Sequence, residues 1–227
     1  MNEADFQFDW EREKRTGLPE AVLCTHKSAR QIDTIVAAAN MRGSRLLLTR
    51  LSTELFAKLN ASTQAALTFA ERAGTAWTGV YAGEIRHGIG IVAAGTSDLP
   101  VAEEAAMTLA FLGFDAPVIA DVGVAGLWRL MGRLEEIRAF KLVIAVAGME
   151  GALFSVVGGL VASPVIAVPT SVGYGVTEAG RIALGAALGT CAPGTVTVNI
   201  DNGFGAAMAA AKIMALAGQD GPESVSG

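Results

Sequence analysis

Residues 143–169 read VIAVAGMEGALFSVVGGLVASPVIAVP, and this stretch decides the fold. Short β-branched runs within residues 141–148 and 164–170 flank a longer segment rich in Ala, Leu and Gly. This arrangement predicts a strand, a helix and a second strand. Because both runs are apolar throughout, we expect strands of a parallel sheet that is covered on both faces.

The same stretch carries one charged residue, Glu150, just past its first strand. The stretch is long enough to cross a bilayer, but a central carboxylate and Pro164 make it a poor membrane span. We therefore predict a buried unit of a protein that has no membrane partner.

From residue 88 onward the chain repeats this pattern of a β-branched run, a turn and an Ala/Leu-rich segment. Five predicted strands result, at residues 89–94, 117–123, 141–148, 164–170 and 195–201. Strands that alternate with helices in this way are typical of an α/β fold with a parallel, doubly wound sheet.

Residues 1–87 have a different pattern, which predicts a small N-terminal α/β domain. Ser28 is placed to cap a helix that runs to about Met41, and residues 45–51 form an apolar run expected to be a strand. Ser52 is expected to cap a helix that continues through residues 62–74, and residues 76–83 are a further candidate strand. The predicted domains are residues 1–87, a parallel α/β domain at 88–218, and a disordered tail at 219–227.

Composition excludes several classes of function. The net charge of −5 and the absence of a basic run argue against binding to nucleic acid or to an anionic membrane. Cys24, Cys191, His26 and His87 do not have the spacing of a zinc site, so we expect no metal held by side chains. The acidic, polar N-terminus differs from a secretory signal, so we expect a cytoplasmic protein.

Polar residues cluster where each predicted strand ends. In open parallel sheets, ligands bind beyond the carboxyl ends of the strands. The candidate binding residues at these ends are Thr96, Ser97, Asp98, Asp121, Gly148, Ser171, Tyr174, Asn199, Asp201 and Asn202.

Each candidate also has a structural interpretation. Thr96 and Ser97 follow Gly95 at the start of a predicted helix, where free amides favour a phosphate, but Ser97 or Asp98 could equally be a helix cap. Tyr174 lies between glycines and could cover a ligand or pack in the core. Asp and Asn at 199, 201 and 202 are common turn formers.

Glu150 and Cys191 are the candidate catalytic residues. A carboxylate near a helix start is favourable by itself, but one among apolar segments is partly desolvated, and desolvation would raise its pKa towards the range useful for proton transfer. Cys191 precedes the last strand, at the opposite edge of the sheet, so it would have to reach the site through a neighbouring subunit or by a bent approach of its loop. A buried, inert thiol is the alternative.

The order of several long motifs resembles the LarB family of nickel-pincer nucleotide biosynthesis proteins. The C-terminal half of that family is similar to the purine enzyme N5-carboxyaminoimidazole ribonucleotide mutase (PurE), which has a flavodoxin-like sheet. The motifs that carry the resemblance are RTGLPE (15–20), AGTSDLPVAEEAA (94–106), DVGVAGL (121–127), PVIAVPTSVGYG (164–175) and CAPGTVTVNIDNGFGAA (191–207).

The resemblance implies carboxylation of nicotinate adenine dinucleotide at carbon 5 of its pyridinium ring, with cleavage of the phosphoanhydride. The products would be pyridinium-3,5-biscarboxylate mononucleotide and AMP. The resemblance assigns the thiolate nucleophile to Cys191, the base to Glu150, and the ribose-phosphate contacts to Ser97 and Asp98. It also implies CO2 or bicarbonate as co-substrate, Mg2+ held through substrate phosphates, and a homo-octamer with sites between subunits.

The chain departs from the usual family pattern at four places. It has Trp128 in place of His, Phe154 in place of Pro, residues 177–181 in place of Phe-Gly-Gly, and Gly189-Thr190 in place of Asn-Ser. Two alternatives therefore stay open: an aminoimidazole ribonucleotide carboxylase or mutase, and a nucleotide-binding paralogue without this activity. Where the purine enzyme has Ser-Ala-His-Arg, this chain has residues 121–123, Asp-Val-Gly, which disfavours the first alternative.

Overall fold

The computed structural model describes residues 6–217, which form two sheets in succession along the chain. The strands of the first sheet are β1 (Ala21–Leu23), β2 (Leu47–Thr49), β3 (Thr68–Ala70) and β4 (Thr75–Trp77). The accompanying helices are α1 (Arg12–Thr16), α2 (Ala29–Met41), α3 (Thr53–Phe56) and α4 (Ala61–Ala66). The strand order is β1-β2-β4-β3, with β1 and β2 parallel and the other pairs antiparallel.

The predicted N-terminal α/β architecture is present, but its second half was predicted wrongly. Ser28 caps α2 through a reciprocal capping box with Gln31, as its position indicated. The long helix expected after Ser52 is instead two short helices followed by the hairpin β3–β4. Gly74, in the left-handed region at φ 57°, makes the hairpin turn that a continuous helix would not accommodate.

The second sheet contains the five strands that the repeating pattern predicted. They are β5 (Ile89–Ala93), β6 (Val118–Ile119), β7 (Leu142–Ala147), β8 (Val165–Pro169) and β9 (Thr195–Thr197). The helices are α5 (Leu99–Phe111), α6 (Leu127–Gly132), α7 (Leu134–Arg138), α8 (Ala152–Leu160), α9 (Arg181–Leu188) and α10 (Gly203–Ala217). All strand pairs are parallel, and the order β6-β5-β7-β8-β9 is that of a flavodoxin-like sheet.

Both faces of this sheet are covered by helices, which explains why its strands are apolar at consecutive positions. Alternate residues such as Ile144 and Val146 pack with α5 and α10, whereas Val143 and Ala145 pack with helices on the other face. The buried strand β7 therefore contributes to two separate hydrophobic clusters.

Two of the expected helices are interrupted. The segment after β6 divides into a 3-10 turn, α6 and α7, and the break falls at Gly132 and Arg133. The helix after β8 begins only at Arg181, because Ala179 and Gly180 adopt left-handed conformations with φ of 60° and 72°. The late start of α9 leaves a longer loop after β8, at the carboxyl edge of the sheet, than the sequence pattern predicted.

The two sheets are joined through α5. Leu47 of β2 lies in the same buried cluster as α5 and α10, and Trp77 of β4 packs against that cluster. The ion pair between Arg72 and Glu103, with Nε to Oε2 at 2.7 Å, adds a polar contact across the joint. The N-terminal sheet is thus packed on one face of the C-terminal domain.

No helix among residues 6–217 is long and apolar enough to cross a membrane. Residues 143–169, which raised that question, form a strand, a helix of nine residues and a second strand. The tail predicted at 219–227 lies outside the described residues.

Candidate active site

Asp98 is at the centre of the residues that meet at the carboxyl edge of the second sheet. Its Oδ2 accepts the Gly95 N–H at 2.9 Å, and its Oδ1 accepts the Thr170 hydroxyl at 2.6 Å. The Gly148 N–H also points to this carboxylate. Three loops, after β5, β7 and β8, are therefore tied to one buried side chain.

Asp98 holds its proton more readily than an ordinary aspartate does, because its surroundings favour the protonated form. Burial raises its pKa, and the nearby Asp201 carboxylate raises it further, although the hydrogen bonds from Thr170, Gly95 and Gly148 act in the opposite direction. The side chain makes no capping bond to α5, but by accepting the Gly95 N–H it does cap the 3-10 turn at residues 96–98 that precedes α5. The side chain also fixes the shape of the site from beneath.

Gly148 allows the loops after β7 and β8 to approach each other closely. A Cβ at this position would collide with the carbonyl oxygen of Val172 and with the Thr170 hydroxyl. The Met149 N–H donates to the same Val172 carbonyl at 2.7 Å. Gly148 therefore has a steric role in the site.

Asp201 ties the loop after β9 to the loop after β8. Its Oδ1 accepts the Ser171 N–H at 2.7 Å, and its own N–H donates to the Pro169 carbonyl at 2.8 Å. Its backbone is left-handed, with φ 55°, an uncommon conformation for a residue other than glycine. Such a conformation persists where surrounding contacts hold it, and it is frequent at ligand sites.

The two asparagines of this loop have local hydrogen bonds. Asn202 accepts the Gly205 N–H at 2.8 Å, as an N-cap of α10 does. Asn199 is exposed, and its Oδ1 accepts the Ile200 N–H at 2.9 Å. The turn-former interpretation thus holds for Asn202, whereas Asn199 presents its amide nitrogen to solvent.

Asp121 lies at the end of the outer strand β6 and is paired with Arg129. Its Oδ2 accepts an N–H of the guanidinium at 2.9 Å, and both side chains are partly exposed. Asp121 is left-handed at φ 57°. The pair places one positive and one negative charge on the rim of the site.

Thr96, Ser97 and Ser171 are exposed around this edge, so their hydroxyls are available to a ligand. Tyr174 is 77% exposed, which excludes the interpretation that it packs in the core. The edge therefore presents hydroxyls, amides and an aromatic ring to solvent, above the closed base that Asp98 forms.

The environment of Glu150 differs from the one that the sequence predicted. It follows Met149, which is left-handed at φ 52°, in a tight turn between β7 and α8, and its side chain is exposed. The expected desolvation by neighbouring apolar segments is therefore wrong for the single chain, because those segments are folded beneath the turn. The carboxylate does lie at the carboxyl edge, as predicted.

Cys191 is exposed, in the loop between α9 and β9. Its neighbour Thr190 contacts the hydroxyl of Ser155 at 2.8 Å, and the β9 residue Thr195 pairs with Val165 at the start of β8. The thiol is thus at the amino edge of the sheet, the edge opposite Glu150. One chain does not bring the two candidate catalytic residues together.

Cys24 is the other free cysteine and has the opposite environment. It is fully buried in the core of the N-terminal domain, where burial raises the pKa of its thiol to about 12. A thiol held protonated in this way is a poor nucleophile. Cys24 is therefore a core residue.

A connection from the N-terminal domain reaches this site, and it was not predicted from the sequence. Arg50 donates to the carbonyl of Asp201, and Thr49 donates to the buried carboxylate of Glu104. Glu104 also accepts the Phe204 N–H at 3.1 Å, at the start of α10. The pattern that could have revealed it is the Thr-Arg pair that directly follows the apolar residues of β2.

Large apolar side chains surround the carboxyl edge without cover from the chain itself. Trp128, one of the departures from the usual family pattern, is 76% exposed. Leu127, Met131 and Val176 are exposed on the same side. By contrast Phe154, another departure from the family pattern, is a residue of α8 and is fully buried.

A cavity of about 720 Å3 among the described residues lies elsewhere. It is bordered by the N-terminal segment and by the C-terminal ends of α5 and α10, for example at Trp10, Arg45, Phe111 and Leu216. None of the predicted site residues lines it. We place the candidate site at the carboxyl edge because the convergence of loops there is specific, whereas this cavity is a gap between the two domains.

Residues 6–217 contain no group of three or more His, Cys, Asp or Glu side chains arranged to hold a metal ion. The carboxylates of the site are instead engaged with protein donors, Asp98 with Thr170 and Asp201 with Ser171.

Comparison with known proteins identifies both parts of the chain. Residues 88–226 match the family described as AIR carboxylase, and residues 3–78 match the domain described as LarB/PurE-like N-terminal domain. A protein of Methanocaldococcus jannaschii described as uncharacterized is 49% identical over 131 residues, 56% of this chain and 50% of that protein. The chain thus spans about half the length of this relative.

Solved structures similar to the chain include PurE from Treponema denticola and a variant of PurE2 from the same organism. Both are 26% identical to it and cover 58% of this chain and 82% of their own. The TM-scores are 0.46 for PurE and 0.47 for the PurE2 variant.

Proposed function

The chain belongs to the AIR carboxylase family as a LarB-type member with a PurE-like domain, and on that premise we propose that it carboxylates the pyridinium ring of nicotinate adenine dinucleotide. The family match makes it an enzyme of the carboxylase and mutase class. The proposed products are pyridinium-3,5-biscarboxylate mononucleotide and AMP. The proposed co-substrate is CO2 or bicarbonate.

The proposed chemistry reverses the polarity of an electron-poor ring. A thiolate adds to a ring carbon and converts the pyridinium into a dienamine, whose carbon 5 attacks CO2 and forms the new C–C bond. A base then takes the proton from carbon 5, and the electron pair of that C–H bond restores the aromatic ring as the thiolate leaves. Water then cleaves the phosphoanhydride of the carboxylated dinucleotide, so AMP is released only after the ring has been carboxylated.

The observation that carries the proposal is the exposed thiol of Cys191. The family resemblance assigns the nucleophile to this position, within the motif at residues 191–207. A buried thiol there would be inaccessible to a nucleotide, as Cys24 is. The exposure of Cys191 supports its role as nucleophile.

The proposed site requires more than one copy of the chain. Cys191 lies at the amino edge of the sheet and Glu150 at the carboxyl edge, so a complete site combines the thiol of one copy with the carboxylate of another. The exposed apolar side chains of Leu127, Trp128 and Val176 support an interface beside Glu150. A neighbouring copy that covers Glu150 would also exclude water from its carboxylate, which the single chain leaves exposed. A homo-octamer is the assembly we propose.

The remaining residues of the carboxyl edge are proposed to hold the nucleotide. Thr96 and Ser97 offer hydroxyls and amides to a phosphate, and Tyr174 offers a ring face to a base or to the pyridinium. Asp98 maintains the loop geometry by accepting the Gly95 N–H. It therefore contributes to ribose-phosphate binding indirectly, by positioning the turn at Gly95. Mg2+ is proposed to bind through the substrate phosphates.

The second candidate function is carboxylation or carboxyl migration on an aminoimidazole ribonucleotide. The match to the AIR carboxylase family favours it. The segment Asp121-Val122-Gly123 stands against it, because the purine enzyme has a histidine-containing stretch there. A nucleotide-binding protein without turnover is the third candidate.

One incubation separates these candidates. The purified protein is mixed with nicotinate adenine dinucleotide, 13C-bicarbonate and MgCl2, and a parallel sample receives aminoimidazole ribonucleotide. Mass spectrometry is expected to find AMP and a mononucleotide that carries one 13C carboxylate in the first sample. A labelled product only in the second sample identifies the second candidate, and nucleotide binding without either product identifies the third.

Two cysteine variants serve as the matched pair. Cys191→Ser is expected to abolish AMP release, because a hydroxyl is far less nucleophilic than a thiolate. Cys24→Ala, which removes the buried thiol, is expected to retain activity while folded, as judged by circular dichroism. Full activity of Cys191→Ser would overturn the proposed mechanism.

A further inference from the structure

Arg50 is the residue through which the N-terminal domain reaches the carboxyl edge of the second sheet. It directly follows β2, and its guanidinium donates to the carbonyl of Asp201 across 151 positions of sequence. We infer that Arg50 is a substrate-binding residue, which contacts a phosphate of the bound dinucleotide. This inference rests on the proposed function, since it takes the ligand to be a nucleotide.

The backbone at Arg50 is held in an unfavourable conformation. Its φ of 55° is in the left-handed region, which an arginine rarely adopts. Contacts on both sides fix it: Thr49 donates to the buried Glu104, and the Leu51 N–H donates to the Gly74 carbonyl at 2.8 Å. Residues held in this way are concentrated at functional sites, because a less strained turn would direct the side chain elsewhere.

The guanidinium retains donors for a ligand. A guanidinium has five N–H groups in a planar fork, and the described residues give this one a single acceptor, the Asp201 carbonyl. The Arg50 side chain is exposed. The Asp201 carboxylate accepts the Ser171 N–H through Oδ1, and among the described residues it forms no salt bridge with Arg50.

The charge of the site shows why a cation is needed there. Asp98, Asp121, Glu150 and Asp201 place four carboxyl groups at the same edge of the sheet, and Arg129 is paired with Asp121. A dinucleotide brings two further negative charges with its diphosphate. Arg50 offsets this repulsion, and its fork matches two phosphate oxygens at once.

A purely structural role for Arg50 makes different predictions. If the side chain only anchors the loop at Asp201, its removal lowers the stability of the free protein and affects all ligands equally. If it binds phosphate, its removal weakens binding in a way that depends on ionic strength.

The test measures binding by calorimetry, with nicotinate adenine dinucleotide and inorganic pyrophosphate as probes. Variants Arg50→Ala and Arg50→Lys are compared with Arg30→Ala, which removes an exposed arginine of α2. Arg50→Ala is expected to weaken dinucleotide binding about tenfold to a hundredfold, Arg50→Lys less, and Arg30→Ala not at all. The loss of affinity on addition of NaCl is expected to be less steep for Arg50→Ala than for the wild type.

The outcomes separate this inference from the proposed function. If the wild type binds pyrophosphate and Arg50→Ala does not, the role of Arg50 is supported, whether or not the dinucleotide binds. Failure of the wild type to bind the dinucleotide would count against the proposed function alone. Equal affinities of wild type and Arg50→Ala, or binding of neither probe by the wild type, would overturn the inference. The inference would also be overturned if Arg50→Ala bound the ligands more weakly but with the salt dependence of the wild type, and melted several degrees lower in the absence of ligand.

Discussion

Among single residues, Asp98 shows best how burial and hydrogen bonding compete in this site. Its carboxylate accepts bonds from Gly95 and Thr170, which favour ionisation, yet burial outweighs them and raises its pKa. The unfolded chain has no such burial. The pKa of Asp98 is therefore higher in the folded state than in the unfolded state.

This difference predicts a dependence of stability on pH. Between the two pKa values the folded state binds more protons than the unfolded state, so the free energy of unfolding falls as the pH rises through that window. Stability is greatest below the unfolded pKa, and the loss is complete above the folded pKa. The slope is at most about 1.4 kcal/mol per pH unit for one group.

Asp98→Asn removes this titration. We expect the wild type to lose stability relative to Asp98→Asn as the pH is raised through the acidic range, and urea unfolding at a series of pH values measures the difference. Parallel profiles of the two proteins would show that Asp98 does not titrate in this way.

The sequence predicted which residue types gather at the carboxyl edge but not their contacts. Polar residues that follow apolar strands identified Asp98, Asp201 and Ser171, because parallel strands bring their carboxyl ends to one edge. Thr170 and Arg50 were missed, since the partner of Asp98 is 72 positions away and that of Arg50 is 151 positions away. The exposure of Glu150 was also mispredicted, because apolar neighbours in sequence need not be neighbours in space.

At the scale of elements, β2, α5 and α10 form the joint that connects the two domains. The buried Glu104 of α5 accepts the hydroxyl of Thr49 at the end of β2 and the Phe204 N–H at the start of α10. Its neighbour Glu103 forms an ion pair with Arg72, whose side chain is 61% exposed. The two adjacent glutamates thus connect α5 to different elements: Glu104 to β2 and α10 in the interior, and Glu103 to the turn between β3 and β4.

Their removal is expected to have unequal effects. Glu104→Ala leaves two buried donors without an acceptor and should lower the free energy of unfolding by about 2–5 kcal/mol. Glu103→Ala should change it little, because exposed ion pairs are screened by water. Urea denaturation of both variants measures the contrast, and a similar loss in both would contradict the assigned role of Glu104.

The elements were predicted well where burial is continuous and less well where short segments alternate. The strands β5, β7 and β8 followed from uninterrupted apolar runs. Strand β3 was predicted as part of a helix because Ala-rich residues favour helices locally, whereas it pairs with β4 in the sheet. The candidate strand at residues 76–83 was partly right, since β4 includes Ala76 and Trp77. The break near Gly132 and the late start of α9 depend on backbone conformations that hydrophobic periodicity does not report.

At the scale of the whole molecule, the proposed catalysis depends on assembly. Cys191 and Glu150 lie at opposite edges of one sheet, so a complete site takes each from a different copy of the chain. Closed symmetric assemblies repeat such a shared site at every equivalent interface. The sequence predicted this separation, because the loop before a strand and the loop after it lie at opposite edges.

The most direct test of a shared site is complementation between two inactive variants, Cys191→Ser and Glu150→Gln. Each alone is expected to release no AMP from nicotinate adenine dinucleotide. In mixed oligomers prepared by co-expression in equal amounts, half of the sites receive an intact Cys191 and half of those an intact Glu150, so activity should return to about a quarter of the wild-type value. Native mass spectrometry verifies that the oligomers are mixed. If these mixed oligomers remain as inactive as either variant alone, a site shared between copies is contradicted.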